Sequence, residues 1–298
     1  MNRFRGFTLV ELLVVVGIIA LLISILLPAL GKAAAESRSV KDGTQIKEIH
    51  QAMNTFALSN NGRYPIPGLI NRLADPELGQ SPNLGPEDFV LNHSSHFYSS
   101  MIAQQLISPS ILIGPTEVNP KFVVKEDYNY DTYDPGSDRY WDPTFKAYLK
   151  PRSNSSYAHL SICGKRKKES WRASSSPNMP MIGTRAPGIA PSTSIINPDD
   201  PSYTHSQTLL LHSPSRLWSG NVCFNDNRVQ RLDSMYAPAG GYEHNGAPPA
   251  RDFMYAAEFG DGTVLDNHSQ ADAFLSISKT ASSDGKAVGP VFEPLLDD

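Results

Sequence analysis

Residues 1–27 read MNRFRGFTLVELLVVVGIIALLISILL, a short basic leader that runs into an apolar span carrying one acid. From Phe7 to Leu27 there are 21 residues, and Glu11 is the only ionisable side chain among them. A helix needs about 20 apolar residues to cross a bilayer core of about 30 Å, so this segment is long enough to span one. An acid inside such a span costs about 2.5–3.5 kcal/mol, so Glu11 needs a partner. A secretory signal peptide fits less well, because its apolar region usually runs to about 7–15 residues. Leu26-Leu27-Pro28-Ala29-Leu30 also continues the apolar run, and no clean small-x-small cleavage site ends it.

The helical pattern extends beyond the apolar span. Ile46, Ile49, Met53, Phe56 and Ala57 form one apolar stripe, with Lys47, Glu48, Gln51 and Asn54 on the other face. Pro28 is expected to kink or loosen the first half, since it removes one backbone donor, and Gly43 to add a second weak point. Asn60-Asn61-Gly62 reads as the helix end, glycine being free to take the left-handed conformation. A helix from Phe7 to about Ser59 would be about 80 Å long.

The octapeptide Arg5-Gly6-Phe7-Thr8-Leu9-Val10-Glu11-Leu12 resembles, almost residue for residue, the signature of type IV pilins and type II secretion pseudopilins. That resemblance implies cleavage after Gly6 by a membrane-bound prepilin peptidase and N-methylation of Phe7 as the new first residue. It also implies that Glu11 neutralises the terminal amine of a neighbouring subunit inside a filament. The chemistry is consistent: cleavage creates an α-amino cation at Phe7, and Glu11 lies one turn along at i, i+4. The run from Gln45 to Ile49 into Asn61-Gly62-Arg63-Tyr64-Pro65 is similar to the major-pseudopilin segment in which an amphipathic helix enters an N-G-x-Y-P turn. The fold implied is α+β and pilin-like, a long N-terminal helix packed on an antiparallel β-sheet head with long loops. The corresponding divisions are a leader at 1–6, a membrane-spanning or filament-core helix at 7–29, an amphipathic continuation at 30–60 and a β-rich head at 61–298. The partners implied are the peptidase, other pilin-like subunits and an inner-membrane assembly platform.

Composition agrees with an exported head. The 298 residues carry a net charge of −4, so no basic excess points to nucleic acid. Twenty-four prolines and 21 glycines favour a loop-rich β-containing head over a helical bundle. The basic leader places the N-terminus in the cytoplasm and the head across the inner membrane. In an oxidising compartment Cys163 and Cys223 could close a loop of about 60 residues, worth about 4 kcal/mol; two buried thiols that never meet is the other reading.

Strands are expected at Phe122–Val124, Phe145–Tyr148, Tyr157–Cys163, Thr208–His212, Gly220–Asn225 and Arg228–Leu232, with a helix at His96–Ile107 and an exposed loop over 164–207. Asp226-Asn227 is a hairpin signal of type I′. The stretch His212–Val229 resembles an element near the C-terminus of many large pilin-like proteins, with Asn227 and Arg228 in place of its turn glycine and histidine and a longer spacing to His212. Residues 258–264 read as a further hairpin.

Calcium is the ligand to weigh, because major pseudopilins of this resemblance bind it. Asp127, Asp131, Asp134 and Asp138 recur in DYNYDTYDPGSD, an oxygen-rich loop able to supply a hard cation with several ligands. The loop lacks EF-hand spacing, and Asp and Asn there are also ordinary turn formers. His93 and His96 have metal-compatible spacing but no third ligand in sequence. No G-x-S-x-G elbow, Walker loop or dinucleotide fingerprint occurs, so no enzyme is expected. The chain therefore reads as a prepilin-like subunit of a type II secretion pseudopilus. The alternatives are a type IV pilus subunit, or a membrane-anchored ligand-binding protein that reuses the leader.

Overall fold

A computed structural model describes residues 7–75, 77, 83–148, 151–164, 166–187, 205–212, 217–242, 250–255, 275–278, 280–283 and 288–291. Gly6 and the hairpin expected at 258–264 lie outside the described residues. Helix α1 (Leu9–Leu58) is 50 residues long, about 75 Å at 1.5 Å per residue. Helical structure passes through Pro28 and Gly43 without a break. Pro28 lacks only the one N–H that would reach the Ser24 carbonyl. Gly43 is a contact point rather than a weak point: a Cβ there would lie 3.2 Å from Val229 Cγ1 and 3.5 Å from the Asn221 side chain. Its bare Cα lets the helix settle on the head. At the C-terminal end Asn61 (φ 53°) and Gly62 (φ 72°) turn left-handed, and the Gly62 N–H bonds back to the Ala57 carbonyl at 2.9 Å.

The two halves of α1 meet different surroundings. Every residue from 9 to 38 is exposed, 30 in all, and Ser39 is the first buried one. The exposed part projects about 45 Å, more than a bilayer core is thick. Beyond it Ile46, Ile49 and Met53 are fully buried, and burying each contributes about 1.5–3 kcal/mol. Phe56 lies half-buried at the edge of this stripe.

The head is an antiparallel five-stranded sheet in the order β4–β3–β2–β1–β7. The strands are β1 (Tyr157–Leu160), β2 (Pro180–Thr184), β3 (Gly220–Phe224), β4 (Val229–Leu232) and β7 (Leu275–Ser276). Helix α1 packs across β2, β3 and β4. Two smaller antiparallel pairs, β5 (Tyr236–Tyr242) with β6 (Ala250–Phe253) and β8 (Thr280–Ser283) with β9 (Val288–Val291), accompany it. Short helices α2 (Pro67–Ile70) and α3 (Ser94–Ala103) complete the regular elements used below. The arrangement is α+β and pilin-like.

Several local expectations change. The central strand β2 lies inside the stretch read as a loop; all five of its residues are buried, so it shows no alternation. Thr208–His212 is no strand: Gln207–Leu210 is a 3-10 turn whose Thr208 N–H bonds to Ser206 Oγ. Phe122 makes one isolated bridge to Ser153, and 145–148 forms no strand. The β3–β4 turn has Asn227 alone at positive φ (65°) and a Phe224 N–H to Arg228 carbonyl bond, a three-residue loop rather than type I′.

Candidate functional site: the N-terminal helix and its seat on the head

The start of α1 is built by Thr8 and Glu11. Thr8 stands at the N-cap, and Glu11 Oε2 accepts from both the Thr8 N–H (2.8 Å) and the Thr8 hydroxyl (2.7 Å). The Glu11 N–H bonds back to Thr8 Oγ1 at 3.2 Å, which completes a capping box. The acid that looks costly in the sequence therefore has an intrachain role. It satisfies two donors at the positive end of its own helix, where a negative charge is favoured. Both bonds to the carboxylate fall on one oxygen, Oε2. Phe7, next to the cap, is 79% exposed.

Thirty residues further on, the helix is tied to the head by buried polar groups. Asp42, 1% exposed, accepts from the Tyr157 hydroxyl (2.8 Å), Asn221 Nδ2 (2.9 Å) and Thr184 Oγ1 (3.4 Å), and lies 3.3 Å from His212 Nε2. Those partners come from β1, β3, β2 and the loop after the 3-10 turn, so one helical carboxylate gathers most of the sheet. Asn221 Nδ2 also donates to the Ser39 carbonyl at 2.9 Å, and Arg231 reaches Glu36 at 2.9 Å on the outer side. Burial first, then the adjacent Asp42 charge, pushes the Tyr157 hydroxyl far above its ordinary pKa and keeps it a donor.

A second knot holds the helix exit. The Tyr64 hydroxyl donates to Asn225 Oδ1 at 2.8 Å and lies within 3.3 Å of Asn54 Oδ1 and His50 Nε2. His50 Nδ1 in turn meets Asn227 Oδ1 at 3.1 Å. Trp171 Nε1 donates to the Pro65 carbonyl at 2.9 Å. The Asn61–Pro65 exit thus folds back onto the helix and onto the β3–β4 turn.

Ser39 Oγ lies 3.2 Å from His212 Nδ1, and His212 Nε2 faces Asp42, so nucleophile, base and acid residue types line up. Ser39 sits mid-helix, where its N–H belongs to the helical ladder and cannot donate to an oxyanion. All three residues' side chains are packed beneath the helix. The trio is a strut between α1 and the head.

The expected calcium loop is not gathered into one cage. Asp127 pairs with Lys125 at 2.6 Å, Asp134 pairs with Arg139 at 2.9 Å, and Asp138 occupies a left-handed cap (φ 56°). The Asp131 N–H bonds to Asn129 Oδ1 at 3.0 Å within a 3-10 turn. Among the described residues no group of three or more His, Cys, Asp or Glu is placed to hold a metal ion. The organiser of this loop is Asp142, which is not among the four aspartates expected to hold a cation. Its carboxylate accepts from Thr144 Oγ1 (2.6 Å), the Thr144 N–H (2.8 Å) and the Asn129 N–H (3.0 Å). Burial alone would raise its pKa, but these bonds and the Lys125 charge hold it below the usual carboxylate range.

Of the two readings of the cysteines, the structure has the one with separate buried thiols. Cys163 and Cys223 are buried and not joined to each other. Cys223 sits on β3 opposite Ile182 of β2, and β2 separates it from β1, beyond whose end Cys163 lies. Two strand spacings amount to about 9–10 Å, more than the roughly 7 Å between Cα atoms that a disulfide bridges. Burial pushes the Cys223 thiol up to about 12.

Residues 1–27 match the family model for the prokaryotic N-terminal methylation motif, the leader of type IV pilins and pseudopilins. No curated protein and no solved structure matches the chain.

Proposed function

We propose that this chain is a prepilin-like subunit, cut after Gly6 and assembled through α1 into a type II secretion pseudopilus. The observation that carries the reading is the division of α1. Thirty exposed, mainly apolar residues begin inside a methylation motif and run past it, and the rest of the helix is locked into the head. A monomer built so has one stable resting place for the projecting half, a bilayer, and one alternative, the same half of other subunits. Gly17, Ala20, Ser24 and Gly31 are spaced to share one face of that half, and a Cβ at Gly17 or Gly31 would meet nothing within 4 Å among the described residues. Small residues of this kind let membrane helices approach closely. In this account a membrane helix becomes a filament helix when Glu11 takes the Phe7 amine of a neighbour, using the oxygen its own cap leaves over. The head then faces the periplasm.

The N-G-x-Y-P exit favours a secretion pseudopilus over a type IV pilus, and the size of the head favours a low-copy subunit. Deleting the chain and following both outputs tests the choice. Loss of secreted proteins with surface filaments intact supports the pseudopilus; loss of filaments with secretion intact selects the pilus. Glu11→Ala tests the assembly step, with processing retained and filament incorporation lost as the expected result. Wild-type incorporation would remove the role given to Glu11.

A further inference from the structure

We infer that His93, His96 and His159 form an acid-operated latch that holds the start of α3 against β1 and the segment after β7, and that proton uptake there releases it. His93 is the N-cap residue of α3 and His96 lies in its first turn. Their rings are in contact, with centroids 3.9 Å apart and planes tilted by 40°. His96 also packs on Trp141 at 5.0 Å, and His159 of β1 lies between Phe97 (4.7 Å) and Trp171 (5.9 Å).

The hydrogen bonds at this point have a fixed direction. His159 Nδ1 lies 2.8 Å from the Leu160 carbonyl, which can only accept, so Nδ1 carries the proton. His159 Nε2 therefore accepts from the Ser94 hydroxyl at 2.8 Å, and Ser94 Oγ accepts from the Ser278 N–H at 2.7 Å. This chain joins β1, α3 and the segment after β7, and it is written for a neutral His159.

In the neighbouring pair, His93 Nδ1 and His96 Nδ1 are both buried with no hydrogen-bond partner among the described residues. A neutral ring tolerates a bare lone pair there. A protonated His93 would bury an N–H with no acceptor among the described residues and a charge beside two further imidazoles, and both are costly; at His96 the Leu91 carbonyl offsets part of the burial cost.

The ionisable groups on adjoining elements are engaged elsewhere. Ahead of α3, Glu87 binds Lys167 and Asn92, and Asp88 caps the Val90 N–H. Beside Trp141, Asp142 holds Thr144 and Asn129 with Lys125 at 3.8 Å, while the Tyr140 hydroxyl is buried with no partner among the described residues. Beside Trp171, Arg172 donates to the Lys168 carbonyl. On α3 and β1, the Tyr98 hydroxyl donates to the Tyr157 carbonyl, and the Tyr157 hydroxyl belongs to Asp42. The charges that act on His93 are those of His96 and His159.

Burial, the largest cause in each case, lowers His93 to about 3, His96 to about 4 and His159 to about 4. An unfolded histidine titrates near 6.5. The neutral rings therefore contribute their full stability above about pH 6.5 and lose it as the pH falls towards these lower values.

The test uses the full chain in detergent micelles. Near-ultraviolet circular dichroism and tryptophan fluorescence report Trp141 and Trp171, and wild type is compared with the double variant His93→Phe/His96→Phe. Wild type is expected to lose tertiary signal cooperatively in mild acid, and the double variant to shift that midpoint down by about one pH unit. Coincident midpoints would overturn the latch. Should the double variant not fold, the wild-type urea-unfolding free energy between pH 6.5 and 4.5 decides. A slope of about two protons or more supports the latch, and a smaller slope overturns it.

Discussion

Asp42 and Tyr157 lie 2.8 Å apart, a carboxylate from the long helix accepting the hydroxyl proton of a strand whose sequence begins 115 residues later. Because Thr184, Asn221 and His212 converge on the same carboxylate, the joint between helix and head is a polar knot set within an apolar contact.

Replacing Asp42 by Ala removes the common acceptor, leaving the Tyr157 hydroxyl with Gln45 Oε1 at 3.0 Å and Asn221 Nδ2 with the Ser39 carbonyl at 2.9 Å. We expect a loss of about 1–3 kcal/mol in denaturant unfolding of the full chain. A loss below about 1 kcal/mol would show that the knot is incidental to the apolar packing.

Gly114 marks how tightly the knot is enclosed. A Cβ there would lie 2.6 Å from Asp42 Oδ1 and 3.1 Å from the Tyr157 hydroxyl, whereas one at Gly136 would meet only Asp134 Oδ1 at 3.5 Å. Gly114→Ala should destabilise by about 1–3 kcal/mol while Gly136→Ala stays within about 0.5 kcal/mol of wild type. Equal effects on thermal midpoints would contradict this placement.

Thr8→Val retains the shape of the N-cap but removes the hydroxyl that both accepts from and donates to Glu11. The cost to the helix start is about 1 kcal/mol. The first turn should exchange its amide hydrogens faster in micelles while the exchange around Asp42 is unchanged. Protection unaltered at residues 9–12 would argue against the capping box.

Two thiols should be titrated in the denatured chain without any reductant. In the native chain Cys223 should resist alkylation at pH 8, since burial raises its pKa to about 12. A thiol count that stays at zero until reductant is added would restore the disulfide.

Much of this was legible in residues 7–65. Hydrophobic length, the Ile46–Ile49–Met53 stripe and the Asn61-Gly62 exit are local signals, and the structure places all of them as read. Asp42, Ser39 and His50 were not legible as buried groups, because a polar residue on a helix face reads as solvated until its partners are known. The partners on the sheet lie 115 to 182 residues away in sequence. Strand β2 was hidden for a different reason: Pro180-Met181-Ile182-Gly183-Thr184 is short, buried on both faces and flanked by loop residues. The aspartates at 127–138 had the composition of a cation loop, but local turns and two basic neighbours account for their placement.

The most direct measurement is intact-mass and N-terminal peptide mass spectrometry of the chain isolated from its native membrane. The account predicts a mature chain beginning at N-methylated Phe7, with residues 1–6 absent. An intact Met1 or a cut near Ala29 would contradict it.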